Sequence, residues 1–322
     1  MKTIAVLTSG GDSPGMNACI RAVVRTALYH KMEVWGVMRG YEGLMDDEFV
    51  KLSSKSVANI IHRGGTMLKT ARSKRFHTPE GRKLAVQNLQ KKGVEGLIVI
   101  GGDGTFQGAL ALQKDTGIQI VGCPGTIDND LVGTDFTIGY DTAINTVIEA
   151  VDKIRDTAES HERLFFVEVM GRDAGLIALR SGIAAGAEAI LIPETPTDIG
   201  GLIKRLEGGR KSKSSKIVIV SEYEGAGGAF AIAEKVKARL PYYDTRVTTL
   251  GHIQRGGNPT CMDRVNASRM GFAAVEGLKE GRKGVMVGII NKDICFTPLE
   301  KAVKHLDQLD NQLLRMIEIL SL

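Results

Sequence analysis

The chain has 322 residues, of which 43% are hydrophobic and 25% are charged, a balance typical of globular rather than disordered proteins. This length predicts two domains. No apolar run reaches the roughly 18 residues of a membrane-spanning helix, and the first residues predict a β-strand instead of a secretory signal. The four cysteines have neither CxxC nor zinc spacing, which favours reduced thiols and a cytoplasmic location.

The formal net charge is +5, and the segment 201–216 alone holds six Lys or Arg residues against one Glu. No aromatic residue is interleaved with these cations, and the chain has no DNA-binding motif. The charge therefore predicts a small phosphorylated partner and argues against nucleic acid.

Short β-branched runs alternate with amphipathic stretches along the whole chain. The predicted strands are Thr3–Thr8, Glu33–Met38, Gly96–Ile100, Gln119–Gly122, Leu164–Val169, Ala189–Ile192, Lys216–Ser221, Arg246–Leu250 and Gly284–Ile290. Helical patterns between them include Met16–Tyr29, Tyr140–Glu159 and Met262–Lys279. Apolar strands separated by such helices predict an α/β fold with mostly parallel sheets, whose ligands gather at the carboxyl ends of the strands.

The first strand runs into TSGGDSPGMNA, residues 8–18, where Gly10 and Gly11 let backbone N–H groups face an anion at the start of a helix. This is not a Walker A sequence, and such a turn also occurs merely for packing. A later strand ends in VIGGDGTFQG, residues 99–108, where Asp103 suits Mg²⁺ beside a phosphate chain. The alternative is an ordinary turn aspartate. Lipid and NAD kinases share a similar GGDGT run, so it indicates a kinase but no substrate.

The next strand ends in CPGTIDND, residues 123–130. Thr126, Asp128 and Asp130 follow the buried strand closely, and phosphoryl transfer to an alcohol needs a base, a metal and positive charge. A surface turn is the alternative interpretation of the Asp-Asn-Asp run.

Seven motifs occur in order: TSGGDSPGMNA, RGGT…AR, GGDGT, PGTIDND, DKIRDTAESHER, MGRDAG and LGHIQRGGNPT. Together they resemble the bacterial ATP-dependent 6-phosphofructokinases over nearly the whole chain. The resemblance implies two Rossmann-like three-layer domains, the phosphofructokinase fold. It also implies an ATP-binding domain of residues 1–138 plus 257–305, and a fructose 6-phosphate-binding domain of residues 139–256 plus 306–322.

The resemblance implies transfer of the ATP γ-phosphoryl group to the 1-hydroxyl of fructose 6-phosphate, giving fructose 1,6-bisphosphate in glycolysis. Asp128 would be the general base beside Thr126 and Asp130, Asp103 would hold Mg²⁺, and Arg72 and Arg172 would stabilise the moving charge. The implied ATP-binding residues are Gly11, Tyr41, Arg72, Ser73, Gly102, Asp103, Gly104, Thr105 and Gly108. The implied sugar-phosphate residues are Thr126, Ile127, Asp128, Asp130, Arg163, Met170, Gly171, Arg172, Glu222, Arg246, His252, Ile253, Gln254 and Arg255.

In this family Arg163 and Arg246 reach in from a neighbouring subunit, so the resemblance implies a homo-oligomer, usually a tetramer. Guanidinium groups suit phosphate because they form paired hydrogen bonds. For His252, a buried structural histidine is the alternative to a phosphate-binding role. Glycine at Gly104 and Gly125, where pyrophosphate-dependent relatives have Asp and Lys, favours ATP as the donor.

The resemblance also implies an effector site for ADP or phosphoenolpyruvate. The implied residues are Arg21, Arg25, Arg155, Gly186, Glu188, Lys211 and Lys213. Ser54, Ser214 and Ser215 depart from cationic positions of the family, which predicts blunted or altered control, and solvated helix charges are the alternative for Arg21 and Arg25. Ser73 and His77 are departures near the ATP site.

Two other functions are alternatives to this one. Another sugar-phosphate or lipid-type kinase would share GGDGT but has no need of PGTIDND and the later arginines. A catalytically dead nucleotide sensor or dinucleotide-binding module could dispense with Asp103, Asp128 and Arg172, and no GxGxxG follows the first strand.

Overall fold

A computed structural model of the chain describes residues 1–161, 163–208, 215–302 and 311–320. The chain forms two compact units, each assembled from two separate stretches. Unit 1 comprises Met1–Thr142 and Arg255–Lys304, and unit 2 comprises Ala143–Gln254 and His305–Leu322. No helix in the described ranges is both long and apolar enough to cross a membrane.

Unit 1 is built on a seven-stranded sheet with helices on both faces. Its strands are β1 (Thr3–Thr8), β2 (Glu33–Val37), β3 (Phe49–Lys51), β4 (Gly96–Gly101), β5 (Gln119–Pro124), β10 (Val285–Ile290) and β11 (Asp293–Pro298). Its helices are α1 (Met16–Tyr29), α2 (Gly40–Met45), α3 (Pro79–Lys91), α4 (Asp103–Thr116) and α9 (Cys261–Lys279). The strand order is β11-β10-β5-β4-β1-β2-β3.

The five central strands are parallel, whereas the edge strands β3 and β11 run antiparallel to their neighbours. One face of the sheet packs on apolar side chains of α1 and α9, such as Ile20 and Met270. The other face packs on α2, α3 and α4 through residues such as Leu44, Leu89 and Phe106. Because helices cover both faces, the central strands carry almost uninterrupted apolar sequence.

Unit 2 contains a four-stranded parallel sheet in the order β7-β8-β6-β9. Its strands are β6 (Arg163–Val169), β7 (Ala189–Leu191), β8 (Lys216–Ser221) and β9 (Asp244–Thr249). Its helices are α6 (Leu176–Ala184), α7 (Ile199–Gly208), α8 (Gly228–Arg239) and α10 (Asn311–Leu320), and α5 (Tyr140–Glu159) leads into it from unit 1. An apolar cluster including Phe166, Leu206 and Ile232 packs α7 and α8 against this sheet.

The predicted α/β class with mostly parallel sheets is confirmed, and most predicted elements appear with small changes at their ends. Several boundaries were wrong by one or two residues: β5 continues to Pro124, β9 begins at Asp244, and β2 stops at Val37. The strands β3 and β11 were not predicted. All four cysteines are free thiols, with Cys19 and Cys123 buried.

Candidate active site

Three parallel strands of unit 1 end side by side and present their following loops at one edge of the sheet. Thr8 of β1 is in register with Ile100 of β4, and Gly101 of β4 is in register with Pro124 of β5. Beyond the strands the loops stay joined, since Gly125 N donates to Gly101 O at 2.9 Å and Thr105 Oγ1 donates to Ser9 O at 3.1 Å. The predicted phosphate turn, the GGDGT run and the PGTIDND run therefore meet at this edge.

This approach of backbones depends on glycine at position 101. A Cβ atom built there would lie 2.5 Å from Ser9 O and 2.3 Å from Thr105 Oγ1. Any larger residue would push β1 away from the first turn of α4, because backbone atoms cannot give way as a side chain can.

Asp103 is the first residue of α4, after Gly102, whose extended backbone begins the helix without a side-chain cap. Its side chain is half-buried, and its Oδ2 accepts a hydrogen bond of 2.7 Å from Gln107 Nε2. The amino-terminal end of a helix carries partial positive charge, which favours both this carboxylate and a phosphate group beside it.

The segment after β5 buries two carboxylates: Asp128 is 3% exposed and Asp130 is 5% exposed. Asn129 lies between them with φ of 54°, a left-handed conformation that non-glycine residues adopt at a cost. Its amide fixes the segment, since Asn129 Oδ1 accepts from Thr137 N at 2.7 Å and Nδ2 donates to Asp135 O. Thr137 Oγ1 also donates to Thr126 O at 2.7 Å. The two acids are thus set on a braced turn instead of a free surface loop.

Tyr41 of α2 is a packed support for the first turn of α4. Its ring is 4% exposed and stacks on Phe76 with ring centres 4.1 Å apart, and its hydroxyl donates to Thr105 O at 2.6 Å. Burial raises the pKa of Tyr41 above its ordinary value. A Cβ at Gly108 would come within 2.9 Å of this ring, so the helix and the ring are in close contact. Ser73 Oγ accepts from Phe76 N at 3.1 Å and so holds the stacked ring in place.

Arg255 lies at the predicted phosphate turn of unit 1. Its Nη1 donates to Asp12 O at 3.2 Å, and a Cβ added at Gly11 would be 2.6 Å from the same nitrogen. A guanidinium group therefore lies next to Gly11, which the family resemblance assigns to the ATP site.

In unit 2 the Met170–Gly175 turn follows β6 and is held by side chains at both ends. Glu222 Oε1 accepts from Arg172 N at 2.9 Å and from Gly171 N at 3.3 Å, while Glu194 Oε1 accepts from Gly175 N at 2.7 Å. Arg172 has φ of 52° and Gly171 has φ of 145°. Backbone strain at Arg172 is thus offset by the carboxylate of Glu222, which the family resemblance assigns to the sugar pocket.

The side chains of His252 and Ile253 are exposed, but Gln254 is fully buried. Its Oε1 accepts from Met170 N at 3.3 Å and its Nε2 donates to Gly251 O at 3.0 Å. The amide of Gln254 therefore ties the segment after β9 to the segment after β6.

Arg163 and Arg246 lie at the opposite end of this sheet, toward the amino-terminal ends of the strands. Arg163 Nε donates to Asp244 Oδ2 at 2.8 Å, and Arg246 Nη2 lies 3.0 Å from Asp244 Oδ1. The hydrogen bond from Arg163 holds the pKa of Asp244 below its ordinary value. From Arg163 to Val169 the strand β6 makes six steps, about 20 Å at 3.3 Å a residue. The fold of one chain therefore separates Arg163 from the Met170–Gly175 turn.

The predicted effector residues fall into both units. Arg21 and Arg25 lie one turn apart on α1, and partial burial together with the charge of Arg25 lowers the pKa of Arg21. In unit 2, Arg155 donates to Ala185 O beside Gly186, and buried Glu188 accepts from Ile217 N at 2.6 Å. Ser54 is exposed and Ser215 is buried, whereas Lys211, Lys213 and Ser214 lie outside the described residues.

Several residues that build these sites were not singled out from the sequence. Asp244 stands two residues before Arg246 on the same strand, so strand alternation could have placed the two on one face. Glu194, Thr70 and Asp263 act through bonds to residues 19, 60 and over 100 positions away in sequence, and no local pattern signals them.

Comparison with known proteins shows the family of this chain. The sequence profile of the phosphofructokinase family matches residues 3–278. The ATP-dependent 6-phosphofructokinase of Cytophaga hutchinsonii is 54% identical over 322 residues, covering 100% of this chain and 98% of its own.

Two solved structures share the fold. A phosphofructokinase of Saccharomyces cerevisiae matches 99% of this chain with a TM-score of 0.88 and 36% identity, and this chain spans 46% of that longer one. A pyrophosphate-dependent phosphofructokinase of Marinobacter aquaeolei matches 99% of this chain and 91% of its own, with a TM-score of 0.85 and 24% identity, a likeness of fold alone. By profile, by relatives and by fold, this chain belongs to the phosphofructokinase family.

Proposed function

We propose that this chain is an ATP-dependent 6-phosphofructokinase, which transfers the γ-phosphoryl group of ATP to the 1-hydroxyl of fructose 6-phosphate. The products are fructose 1,6-bisphosphate and ADP. The observation that carries the proposal is the meeting of the GGDGT and PGTIDND runs, joined by the bond from Gly125 N to Gly101 O. A donor-binding helix end and a pair of buried acids thereby stand at one edge of one sheet, as phosphoryl transfer to an alcohol requires.

Asp128 is the group we assign as general base. It lies on a turn braced by Asn129 and Thr137, so its carboxylate is held instead of sampling solvent. Asp128 N also donates to Thr126 Oγ1 at 3.2 Å, which turns that hydroxyl toward the same loop. A base fixed in this way removes the proton of the sugar hydroxyl as the oxygen attacks phosphorus, and Asp130 orients the substrate beside it.

Asp103 is the residue that would hold Mg²⁺. The described residues contain no group of three or more His, Cys, Asp or Glu side chains arranged for a metal. Asp103 at the start of α4 suits Mg²⁺, which takes one or two carboxylates and fills its remaining positions with phosphate oxygens and water. When bound, the ion would neutralise charge on the nucleotide phosphates.

Arg72 and Arg172 are assigned to stabilise charge on the transferred group. The Arg72 side chain is exposed at the end of the segment that follows Gly64, and Arg172 projects from the strained turn held by Glu222. Guanidinium groups in fixed positions stabilise the developing charge more than mobile ones, because no reorganisation is needed during the reaction.

The choice of ATP is supported by the space at two glycines. A Cβ at Gly104 would meet nothing within 4 Å, so a nucleotide can approach the first turn of α4 there. A Cβ at Gly125 would lie 2.9 Å from Met16 Cε and 3.1 Å from Ile100 Cγ2, which leaves little room for a lysine. Position 125 is therefore shaped against the residue that pyrophosphate-dependent relatives carry.

We also propose that the active site is completed by a second copy of the chain. Arg163 and Arg246 are assigned to the 6-phosphate, yet Arg163 starts β6 while Met170 and Gly171 follow its far end. A neighbouring copy that brings its Asp244-linked arginines to this end would resolve the separation. A homotetramer, as is usual in the family, would supply such neighbours.

The effector site stays a prediction for ADP or phosphoenolpyruvate. Arg155 and Glu188 are already engaged with backbone groups in unit 2, and serine stands at positions 54, 214 and 215. Fewer free cations would bind a polyanion less strongly. We therefore expect ADP and phosphoenolpyruvate to change the activity only weakly. A change in activity as large as is usual in the family, measured at subsaturating fructose 6-phosphate, would contradict this.

The function is tested by a coupled assay with fructose 6-phosphate and Mg²⁺, comparing ATP with pyrophosphate. We expect turnover with ATP, and turnover with pyrophosphate alone would refute the donor assignment. The companion variant Asp128→Ser should lower kcat by a factor of about 10² to 10⁴ with a smaller effect on substrate binding. A kcat near that of the wild type would place the base elsewhere.

A further inference from the structure

The segment that leads to Arg72 has no helix or strand of its own between residues 52 and 74. Arg72 itself is exposed, and within the described part of the chain no hydrogen bond to its side chain is found. The position of its guanidinium group therefore depends on how the backbone before it is held.

Asn17 of α1 holds the early part of this segment. Its side chain is 3% exposed and uses both of its polar atoms. Nδ2 donates to Arg63 O at 3.2 Å and to Gly64 O at 3.1 Å, while Oδ1 accepts from Met67 N at 2.7 Å. The amide of Asn17 thus fixes the backbone at Arg63, at Gly64 and at Met67, which directly follows the RGGT run.

Two threonine hydroxyls hold the later part against β1 and its following turn. Thr8, which is fully buried, donates to Lys69 O at 2.8 Å. Lys69 has φ of 57°, so this bond secures a left-handed residue. Thr70 Oγ1 donates to Gly10 O at 2.7 Å. The Thr70 hydroxyl therefore joins the predicted phosphate turn to the backbone two residues before Arg72.

We propose that Thr70 is a positioning residue for the phosphoryl transfer: its bond to Gly10, with the amide of Asn17 behind it, holds the backbone that carries Arg72 against the phosphate turn. Thr70 does not touch the substrates and acts through Arg72. The proposal rests on the proposed function for the role of Arg72.

The test compares Thr70→Val, which keeps the shape but loses the hydroxyl, with Thr70→Ser, which keeps it. Loss of one neutral hydrogen bond shifts a local equilibrium about fivefold, and a displaced charge-stabilising group lowers the rate by up to about 10²-fold. We expect Thr70→Val to lower kcat about tenfold or more while the Kd for ATP, measured by calorimetry without sugar, changes less than about threefold. Thr70→Ser should keep kcat close to that of the wild type, because it keeps the hydroxyl.

A double-mutant cycle distinguishes action through Arg72 from a general loss of stability. In an Arg72→Ala background, Thr70→Val should cause little further loss of kcat. The matched control is Thr116→Val at the far end of α4, where the hydroxyl donates to Leu112 O at 2.8 Å. This control should lower Tm without lowering kcat. Equal loss of kcat in the control, or in the Arg72→Ala background, would overturn the proposal.

A readout independent of activity is hydrogen exchange measured by mass spectrometry on the full chain. Thr70→Val should speed exchange in the peptide covering residues 63–74, and Thr116→Val should not. Unchanged exchange there would overturn the proposed bracing by itself. Absence of fructose 6-phosphate turnover in the wild type would instead contradict the proposed function, so the two failures are distinguishable.

Discussion

Asp263 gives the sharpest prediction about stability, because its carboxylate is buried at the start of α9 and its hydrogen-bond donors are defined by the structure. It is 2% exposed and accepts from Gly139 N at 2.8 Å, from Thr142 N at 2.8 Å and from Thr142 Oγ1 at 2.5 Å. Burial raises its pKa to about 6, from an ordinary 3.8, although the bonds from Thr142 and Gly139 act in the opposite direction.

The raised pKa determines the direction in which stability changes with pH. Between pH 3.8 and about 6 the folded chain holds a proton on Asp263 that the unfolded chain releases, so stability falls as pH rises through this window. The whole difference corresponds to about 3 kcal/mol, of which about 1.4 kcal/mol is lost between pH 5.0 and pH 7.5.

The perturbation is Asp263→Asn, which keeps the size of the side chain but cannot titrate. Urea unfolding followed by the fluorescence of Trp35, the sole tryptophan and a residue of unit 1, reports on the correct unit. The advantage of the wild type over Asp263→Asn should be about 1.4 kcal/mol larger at pH 5.0 than at pH 7.5.

A control on the same helix is Ser268→Ala, which removes a hydroxyl bonded to Arg264 O at 2.7 Å but no titrating group. Its effect should be equal at both pH values. Curves for the wild type and Asp263→Asn that stay parallel from pH 5.0 to 7.5 would refute the assigned burial effect.

Three further predictions follow from individual side chains. Gly104→Asp should fold normally, because a Cβ there meets nothing within 4 Å, but should raise the KM for ATP about tenfold or more by repulsion, whereas Gly104→Ala should not. Gly122→Ala should lower the free energy of unfolding by about 1–3 kcal/mol, measured by urea unfolding, because its Cβ would lie 2.6 Å from Phe106 Cε1. A variant as stable as the wild type would contradict this contact. The bond from His30 lowers the pKa of Glu276. The free energy of unfolding of the wild type should therefore exceed that of Glu276→Gln above pH 4.5, and this difference should vanish as the pH falls further. A difference that persists at acidic pH would exclude the pair.

Much of the candidate site could be predicted because its residues directly follow apolar strands. Parallel strands bring their carboxyl ends to one edge, so the turn after Thr8, the run at Asp103 and the acids after Pro124 were expected to meet. Long periodic elements were also predicted to the residue, as with Thr3–Thr8, Met16–Tyr29 and Tyr140–Glu159.

The two edge strands show where local pattern stops being informative. Phe49–Lys51 has three residues, too few for a period, and its place is decided by antiparallel pairing with Trp35 to Val37. Asp293–Pro298 likewise exists because it pairs with β10. Both depend on the partner strand more than on their own composition.

The sequence by itself predicted the fold class and carried the family motifs, and it points to Asp103 and Asp128 as candidates for the chemistry because of their residue type and their position after a strand. Only the tertiary structure decided which distant groups brace the candidate site segments: Thr70 bonds to Gly10, Glu222 bonds to the Arg172 turn, and Asp244 bonds to Arg163 and Arg246. Three of these contacts join residues 50 or more positions apart, and such pairs form only when the folded sheets bring distant segments within hydrogen-bonding distance.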